Sequence, residues 1–354
     1  MTQTAPALIP GDILPPISLP EAGGELVDLF HQSLAGLHCL LILGRPPGAE
    51  ALAQAVAQAP ARGARVFLVQ RGKPDGAVRR EGAPQRLFDP EGRLFALVGL
   101  PEGGVATITP RGRLGFARAG DAALAAALAV LPEQAVVPAG VATSAGAPVL
   151  LVPDVLEAGF RADLLAHWQK GEKARDRVAS AVGAGVAQGI KRRTDVWLDD
   201  RGLYATFRQR LERRVLPELW RAFRFRAASF EAPRIGCYDA ADAGGFGAHR
   251  DNRTPFTAHR RFAMSLNLNH GFSSGGADYR GGEVWFPEYG VQRYAPPAGG
   301  AVLFCCDLLH EALPVTEGQR FAIFTFLTDA AGAQQEQALI AQRQAAGERG
   351  VSMR

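Results

Sequence analysis

Two stretches decide how this chain is read: FAMSLNLNHGFSSGGADYRGGEVWF (Phe262 to Phe286) and GAVLFCCDLLHEALPVTEGQRFAIFTFL (Gly300 to Leu327). Both are short runs of branched and aromatic residues cut by glycine-rich turns, the pattern of a β-sandwich or barrel. The same texture reaches back to Phe230. Before it the pattern changes. VLEAGFRADLLAHWQKG reads as helix, and Leu203, Phe207, Leu211 and Val215 form an i,i+4 stripe on a second, otherwise charged helix. Further upstream, Pro132 to Pro148 is poor in charge and rich in Pro, Gly and Ala, so it reads as a linker. Beyond it lies a different unit. His38 to Gly44 and Ala64 to Gln70 read as strands, and Glu50 to Gln58 as a helix. Arg86 to Gly99 reads as two short strands around Asp-Pro-Glu-Gly, Val105 to Gly120 as a hairpin, and Asp121 to Leu131 as an alanine-rich helix. The expected boundaries are 1–135, a linker at 136–148, a second domain at 149–330 and a polar tail or helix at 331–354.

The chain's 354 residues suit two domains, and 47% hydrophobic residues supply ample core. A net charge of +4, from 39 basic and 35 acidic side chains, is too slight to mark a nucleic-acid binder. Cys39, Cys237, Cys305 and Cys306 form no CxxC pair and are too few for a disulfide scaffold, so a reducing, cytoplasmic setting is expected. The first residues show neither a basic n-region nor an apolar h-region, and no apolar run would span a bilayer. The partners expected are therefore a small molecule or a peptide, not nucleic acid or membrane.

The chemistry-bearing residues are His249 and Asp251, in GAHRDN, and His310, in LLHEALPV. On an extended segment residues i and i+2 share a face, so His249 and Asp251 are expected side by side. Two imidazoles and one carboxylate suit one face of an octahedral ion, leaving three positions open for a bidentate co-substrate and dioxygen. That donor set favours non-haem Fe(II). A lone His-x-Asp pair is usually a surface turn, so the weight falls on context. Arg320 follows His310 by ten residues at the start of RFAIFTFL. Its guanidinium is either a strand-end charge or a fork for a distal carboxylate. Tyr238, eleven residues before His249, is either core or a hydroxyl donor to the same carboxylate.

Residues 230–330 resemble the 2-oxoglutarate- and Fe(II)-dependent oxygenases, in particular the prolyl 4-hydroxylase-like branch. The resemblance rests on Tyr238, His249-Arg250-Asp251, Leu268-Asn269, Gly281-Gly282-Glu283, the run from Pro297 to Phe304, His310 and Arg320, in that order. It implies a mainly-β double-stranded β-helix (jelly-roll, cupin-like) with flanking helices. It further implies Fe(II) held by His249, Asp251 and His310, with Arg320 and Tyr238 on the C5 carboxylate of 2-oxoglutarate. Dioxygen would be the second co-substrate and ascorbate a reductant. One departure falls at Asn267, where the branch carries a tyrosine. Ser265, Asn267 and Asn269 share a face, and Asn267 is expected to contact co-substrate or substrate. His270 to Gly282 is long enough to be a loop over the site.

PGDILPPISLPEAGGELVDLF (Pro10 to Phe30) resembles the opening of the peroxiredoxin and thioredoxin-like fold, and the likeness extends over residues 8–131. It implies an α/β domain. The loop that would carry the reactive cysteine reads LILGRPPGAEALA and has none, and Cys39 lies in the preceding strand. This half is therefore expected to be a degenerate redoxin, useful for packing, dimerisation or substrate presentation. Lys191 to Trp197 (KRRTDVW) is read as a solvated basic face from which Arg192 or Arg193 could meet an acidic substrate. His259, Arg260 and Arg261 are read as surface, and His270 as a satisfied loop histidine. The reading chosen is a hydroxylase of a small molecule or free amino acid. Its alternatives are a peptidyl prolyl hydroxylase and a non-catalytic interaction protein.

Overall fold

The computed structural model describes residues 6–34, 37–77, 82–132, 146–175, 177–180, 183–186 and 191–345. The chain divides into two compact units, Met1–Val141 and Ala142–Arg354. Residues 133–145, most of the expected linker, lie outside the described residues.

The first unit is built on a five-stranded sheet. Its strands are His38–Leu43 (β1), Ala64–Arg71 (β2), Gln85–Asp89 (β3), Gly104–Ile108 (β4) and Leu114–Arg118 (β5), in the order β3-β2-β1-β4-β5. The three on the β3 side are parallel and β4 and β5 run antiparallel. Strand β1 is apolar on both faces because both are covered. Cys39, Leu41 and Leu43 pack into one core cluster, whereas Leu40 and Ile42 pack into another with helices Ala49–Gln58 (α1) and Ala123–Val130 (α3). The second strand expected in Arg86 to Gly99 is instead a short helix, Arg93–Leu97 (α2). The cause is Asp89, whose carboxylate accepts the backbone N–H groups of Arg93, Leu94 and Phe95 and so satisfies the helix's first donors.

In the second unit the strands are Leu150–Val152 (β6), Ala174–Arg175 (β7), Lys191–Arg192 (β8), Thr194–Trp197 (β9), Ser229–Phe230 (β10), Arg234–Asp239 (β11), Gly245–His249 (β12), Phe262–Asn267 (β13), Tyr279–Gly281 (β14), Val284–Trp285 (β15), Arg293–Tyr294 (β16), Ala301–Cys305 (β17), His310–Ala312 (β18) and Val315–Thr328 (β19). They hydrogen-bond as two separate sheets, beside a small hairpin of Arg177–Ser180 and Gly183–Val186. The five-stranded one has the order β8-β12-β18-β15-β16, and the path of the larger is β6-β17-β13-β19-β11-β9-β7, with β10 and β14 also paired to β19. This is a mixed α/β unit whose two larger ladders wall one cavity.

Period-two alternation sorts the larger sheet. Met264, Leu266, Leu303, Ile323 and Ile235 face outward, where helices Ala158–Lys170 (α4), Arg201–Arg214 (α5) and Leu216–Phe223 (α6) bury Phe160, Leu164, Phe207, Leu211, Val215 and Leu219 against them. Each such side chain contributes roughly 1.5–3 kcal/mol by leaving water. The opposite face carries Ser265, Asn267, Arg320, Arg234, Tyr238 and Asp195, and it walls a cavity of about 640 Å³ that the five-stranded sheet closes with Phe246, His249 and His310. The C-terminal segment is a helix, Ala330–Ala345 (α7), and Glu336, Leu339 and Ile340 on it join the cavity wall.

Candidate metal centre and its charged surroundings

His249 and His310 are register partners across the antiparallel pair β12–β18. An irregularity in the ladder between Phe246 and His249 re-aims the end of β12. The strand stops at His249, so Asp251 does not share its face by strand alternation. Asp251 lies in the following turn, held by its backbone N–H to the carbonyl of Cys306 at 3.1 Å. The outcome is still convergence. His249 Nε2 stands 3.4 Å from Asp251 Oδ1, His310 Nε2 stands 3.4 Å from Asp251 Oδ2, and one ligand atom from each residue lies within 4.8 Å of the others.

Both imidazoles are oriented from behind. The Nδ1 of His249 meets the Gly247 carbonyl at 2.8 Å and that of His310 meets the Leu308 carbonyl at 3.0 Å. With Nδ1–H donating, each Nε2 turns a lone pair toward Asp251, the usual backing of a metal-bound histidine. Phe246 stacks on His249, and Phe304 and Phe286 surround His310. Burial lowers the pKa of His310 and keeps it neutral. Burial alone would raise the Asp251 carboxyl, but His310 and His249 outweigh it and hold it at about 2. The lowered pKa of His310 and the ionised Asp251 suit a divalent cation, and with His249 beside them the donors fit the Fe(II) and 2-oxoglutarate site that a 2-His-1-carboxylate set marks.

Arg320, on β19, is only 1% exposed. Its Nε and Nη2 donate to Asn267 Oδ1 at 3.1 and 2.9 Å, and Nη2 also donates to Ser265 Oγ at 2.7 Å. Nη1 has no hydrogen-bond partner. A buried guanidinium fixed on one side and unpaired on the other is shaped to receive an anion. Asn267 does not line the cavity; its amide donates to Tyr279 Oη and the Pro296 carbonyl, so it holds Arg320 in place. Asn269 turns away altogether and bonds the backbone of Gln319 and Phe321. Tyr238 pairs in register with Arg320, but its hydroxyl lies 3.3 Å from Arg193 Nη1.

The basic stretch Lys191 to Trp197 is not a solvated face. Lys191, Arg193 and Asp195 are 2%, 7% and 6% exposed, and Arg192 alone of the charged residues there points to solvent. Asp195 accepts from Arg193 at 2.6 and 2.9 Å and from Lys191 at 3.1 Å. Gly236 makes room for this pair: a Cβ there would fall 2.7 Å from both Arg193 Cδ and Asp195 Oδ1. Burial and the charge of Arg193 bring Lys191 down to about 7. Burial opposes ionisation of Asp195, yet Arg193 and Lys191 hold it at about 2. Spacing by two, at 191, 193 and 195, is the signal that could have revealed a shared inward face.

His259 and Arg260 are likewise inside. His259 meets Glu231 at 3.1 Å, Arg260 grips the same carboxylate at 2.5 and 2.8 Å, and Arg260 Nη1 reaches the Asp251 carbonyl at 3.3 Å. Only Arg261 keeps the expected surface character, paired with Asp329. His270 is exposed, and none of residues 270–282 lines the cavity; part of that segment is β14, laid along β19. Tyr279, which sequence reasoning passed over, is buried beside Asn267.

No family model matches the chain. It is similar to a PKHD-type hydroxylase of Pseudomonas putida, 33% identical over 172 residues that cover 47% of this chain and 73% of the relative. It is also similar to a PKHD-type hydroxylase of Pseudomonas fluorescens, 37% identical over 117 residues, 31% of this chain and 50% of the relative. For that second relative the chain spans about half its length. Among solved structures, a prolyl hydroxylase of Trichoplax adhaerens, in complex with a hypoxia inducible factor peptide fragment, aligns at TM-score 0.42 and 18% identity, over 54% of this chain and 86% of the other. A Pseudomonas putida prolyl-4-hydroxylase aligns at TM-score 0.38 and 19% identity, over 51% and 92%.

Proposed function

Because the chain belongs to the PKHD-type hydroxylase family, we propose that it hydroxylates an unactivated C–H bond of a peptidyl side chain, with Fe(II), 2-oxoglutarate and dioxygen. The observation that carries this is the convergence of His249, Asp251 and His310 on one point of the cavity that Arg320 also lines. Fe(II) at that point supplies the redox chemistry that couples loss of carbon dioxide from 2-oxoglutarate to oxygen insertion. The chain's own residues bind and orient. His249, Asp251 and His310 would hold the metal. Arg320 would take the C5 carboxylate with the edge that Ser265 and Asn267 leave open, and Tyr238 would close that end of the pocket. Asn267 acts through Arg320 and is a positioning residue.

A free metabolite was the first expectation, on the strength of the polar row Ser265, Asn267 and Asn269. That row is spent internally: two members hold Arg320 and the third bonds the backbone. Without it the peptidyl reading is the better supported. The test is succinate formation from 2-oxoglutarate with Fe(II) and ascorbate, across matched panels of peptides and free amino acids. Stimulation by peptides is expected; stimulation by free amino acids alone would return the metabolite to first place.

In the same proposal residues 149–330 form the oxygenase domain. Residues 1–135 form a redoxin-like domain without a reactive cysteine, in which a homodimer contact could lie. Support comes from the strand order around β1 and from Cys39, which burial pushes up to about 11 and so keeps as an unreactive thiol.

A further inference from the structure

We propose that the cavity holds a second anion site, centred on Arg234, that binds a carboxylate of the hydroxylated substrate. It rests on the oxygenase reading above and deepens it by naming a chemical feature of the substrate. Arg234 lines the same cavity as the metal ligands, on the inward face of β11. Its guanidinium lies 5.0 Å from the centre of the Trp197 ring, and its Nε is buried without a hydrogen-bond partner. The two nearest carboxylates are already engaged. Asp195 is gripped by Arg193 and Lys191, and Glu231 by Arg260 and His259. Arg234 stands between these two closed ion pairs with donor capacity left over. Arg234 is half-buried, and its buried, unpaired Nε is costly unless an anion completes it.

That anion is not 2-oxoglutarate held at Arg320. Tyr238 is the register partner of Arg320, and Arg234 lies four residues away on the same face of β11. At about 3.3 Å per residue the separation is roughly 13 Å along the strand. A five-carbon diacid anchored at Arg320 and reaching toward the metal does not span it. Trp197 supplies a flat apolar wall beside the charge, which suits a carboxylate on a short aliphatic stem. The feature recognised is therefore a carboxylate set apart from the carbon that is hydroxylated. In a peptide it is an acidic side chain or the C-terminus; in a metabolite it is the acid group itself.

The experiment uses the full chain with Mn(II) and saturating 2-oxoglutarate, which fills the Arg320 end without turnover. Calorimetric titration compares peptides that contain Glu or Asp with the same peptides bearing Gln or Asn, and free amino acids with their amides. In the parent the acidic peptides should bind about tenfold tighter or more than their amides. Arg234→Gln should abolish that preference, and Arg234→Lys, which keeps the charge, should retain part of it and stands in if the glutamine variant does not fold. An Arg234-dependent preference confined to free amino acids would support the site and assign its carboxylate to a metabolite. Equal affinity for acid and amide in the parent, or a preference that survives in Arg234→Gln, would overturn the proposal. Titration of 2-oxoglutarate itself is a separate arm. Its failure in the parent would remove the oxygenase reading, while the peptide titration, repeated without it, would still report on Arg234.

Discussion

The two sheets that wall the cavity handle charge in opposite ways. The five-stranded sheet brings two imidazoles to the ends of adjacent strands, with a carboxylate in the turn that follows β12, and packs phenylalanines around them. The nine-stranded sheet brings full charges to its inward face, Asp195 and Arg320 buried and Arg234 half-buried, and they are joined by the buried Lys191, on the edge strand β8 of the five-stranded sheet, and by Arg193, between β8 and β9. In the proposals above a cation completes the first arrangement, and anions complete the second at Arg320 and Arg234.

The largest effect is expected from removing the carboxylate beside the five-stranded sheet. Asp251→Ala should abolish both Mn(II) binding, followed by calorimetry, and 2-oxoglutarate consumption, while leaving the fold intact by circular dichroism. Wild-type consumption in that variant would show that the metal side is not where turnover is assembled.

That side was legible from sequence because its residues come as an ordered string, His249, Asp251 and His310, at spacings that carry their own meaning. The charged side was not. Arg193 and Asp195 read as a solvated patch because the strand that buries them, β11, lies some forty positions on, and only register puts Gly236 beneath their ion pair. His259 and Arg260 were misjudged for the same reason: their partner Glu231 is remote in sequence. In the first unit Asp89 turned an expected strand into α2 through three local hydrogen bonds, a capping signal hidden by the apolar run that follows.

A second break falls on the nine-stranded side. Asp195→Ala leaves Arg193 and Lys191 buried together without their carboxylate, which should cost about 3–5 kcal/mol of stability in denaturant unfolding. A loss under about 1 kcal/mol would mean that water reaches the pair and the field is not buried as a unit. A third, smaller effect separates binding from folding. Arg320→Ala should weaken 2-oxoglutarate binding by about 2–4 kcal/mol with Mn(II) saturated, and Arg320→Lys by less, since the charge stays but the fork is lost. Ser265→Ala should follow in the same direction. If all three bound 2-oxoglutarate as the parent does, Arg320 would be a structural charge like Arg193.

The smallest effect expected is a dependence of stability on pH. Lys191 is buried beside Arg193, so its pKa falls from 10.5 to about 7 in the folded chain. Between those values the unfolded chain binds the proton and the folded chain does not. Stability from this group therefore rises as pH increases from about 7 toward 10, and is lost as pH falls through 7. Asp195 contributes with the same sign far lower, where its folded value of about 2 lies under the unfolded one. In Lys191→Met the alkaline rise should vanish while the acid limb remains. Melting temperatures of parent and variant at pH 7 and pH 9 decide it: the parent should gain on the variant between the two. A constant difference would mean that Lys191 keeps its proton throughout, paired with Asp195, and that the charges around Asp195 include a permanent cation at Lys191.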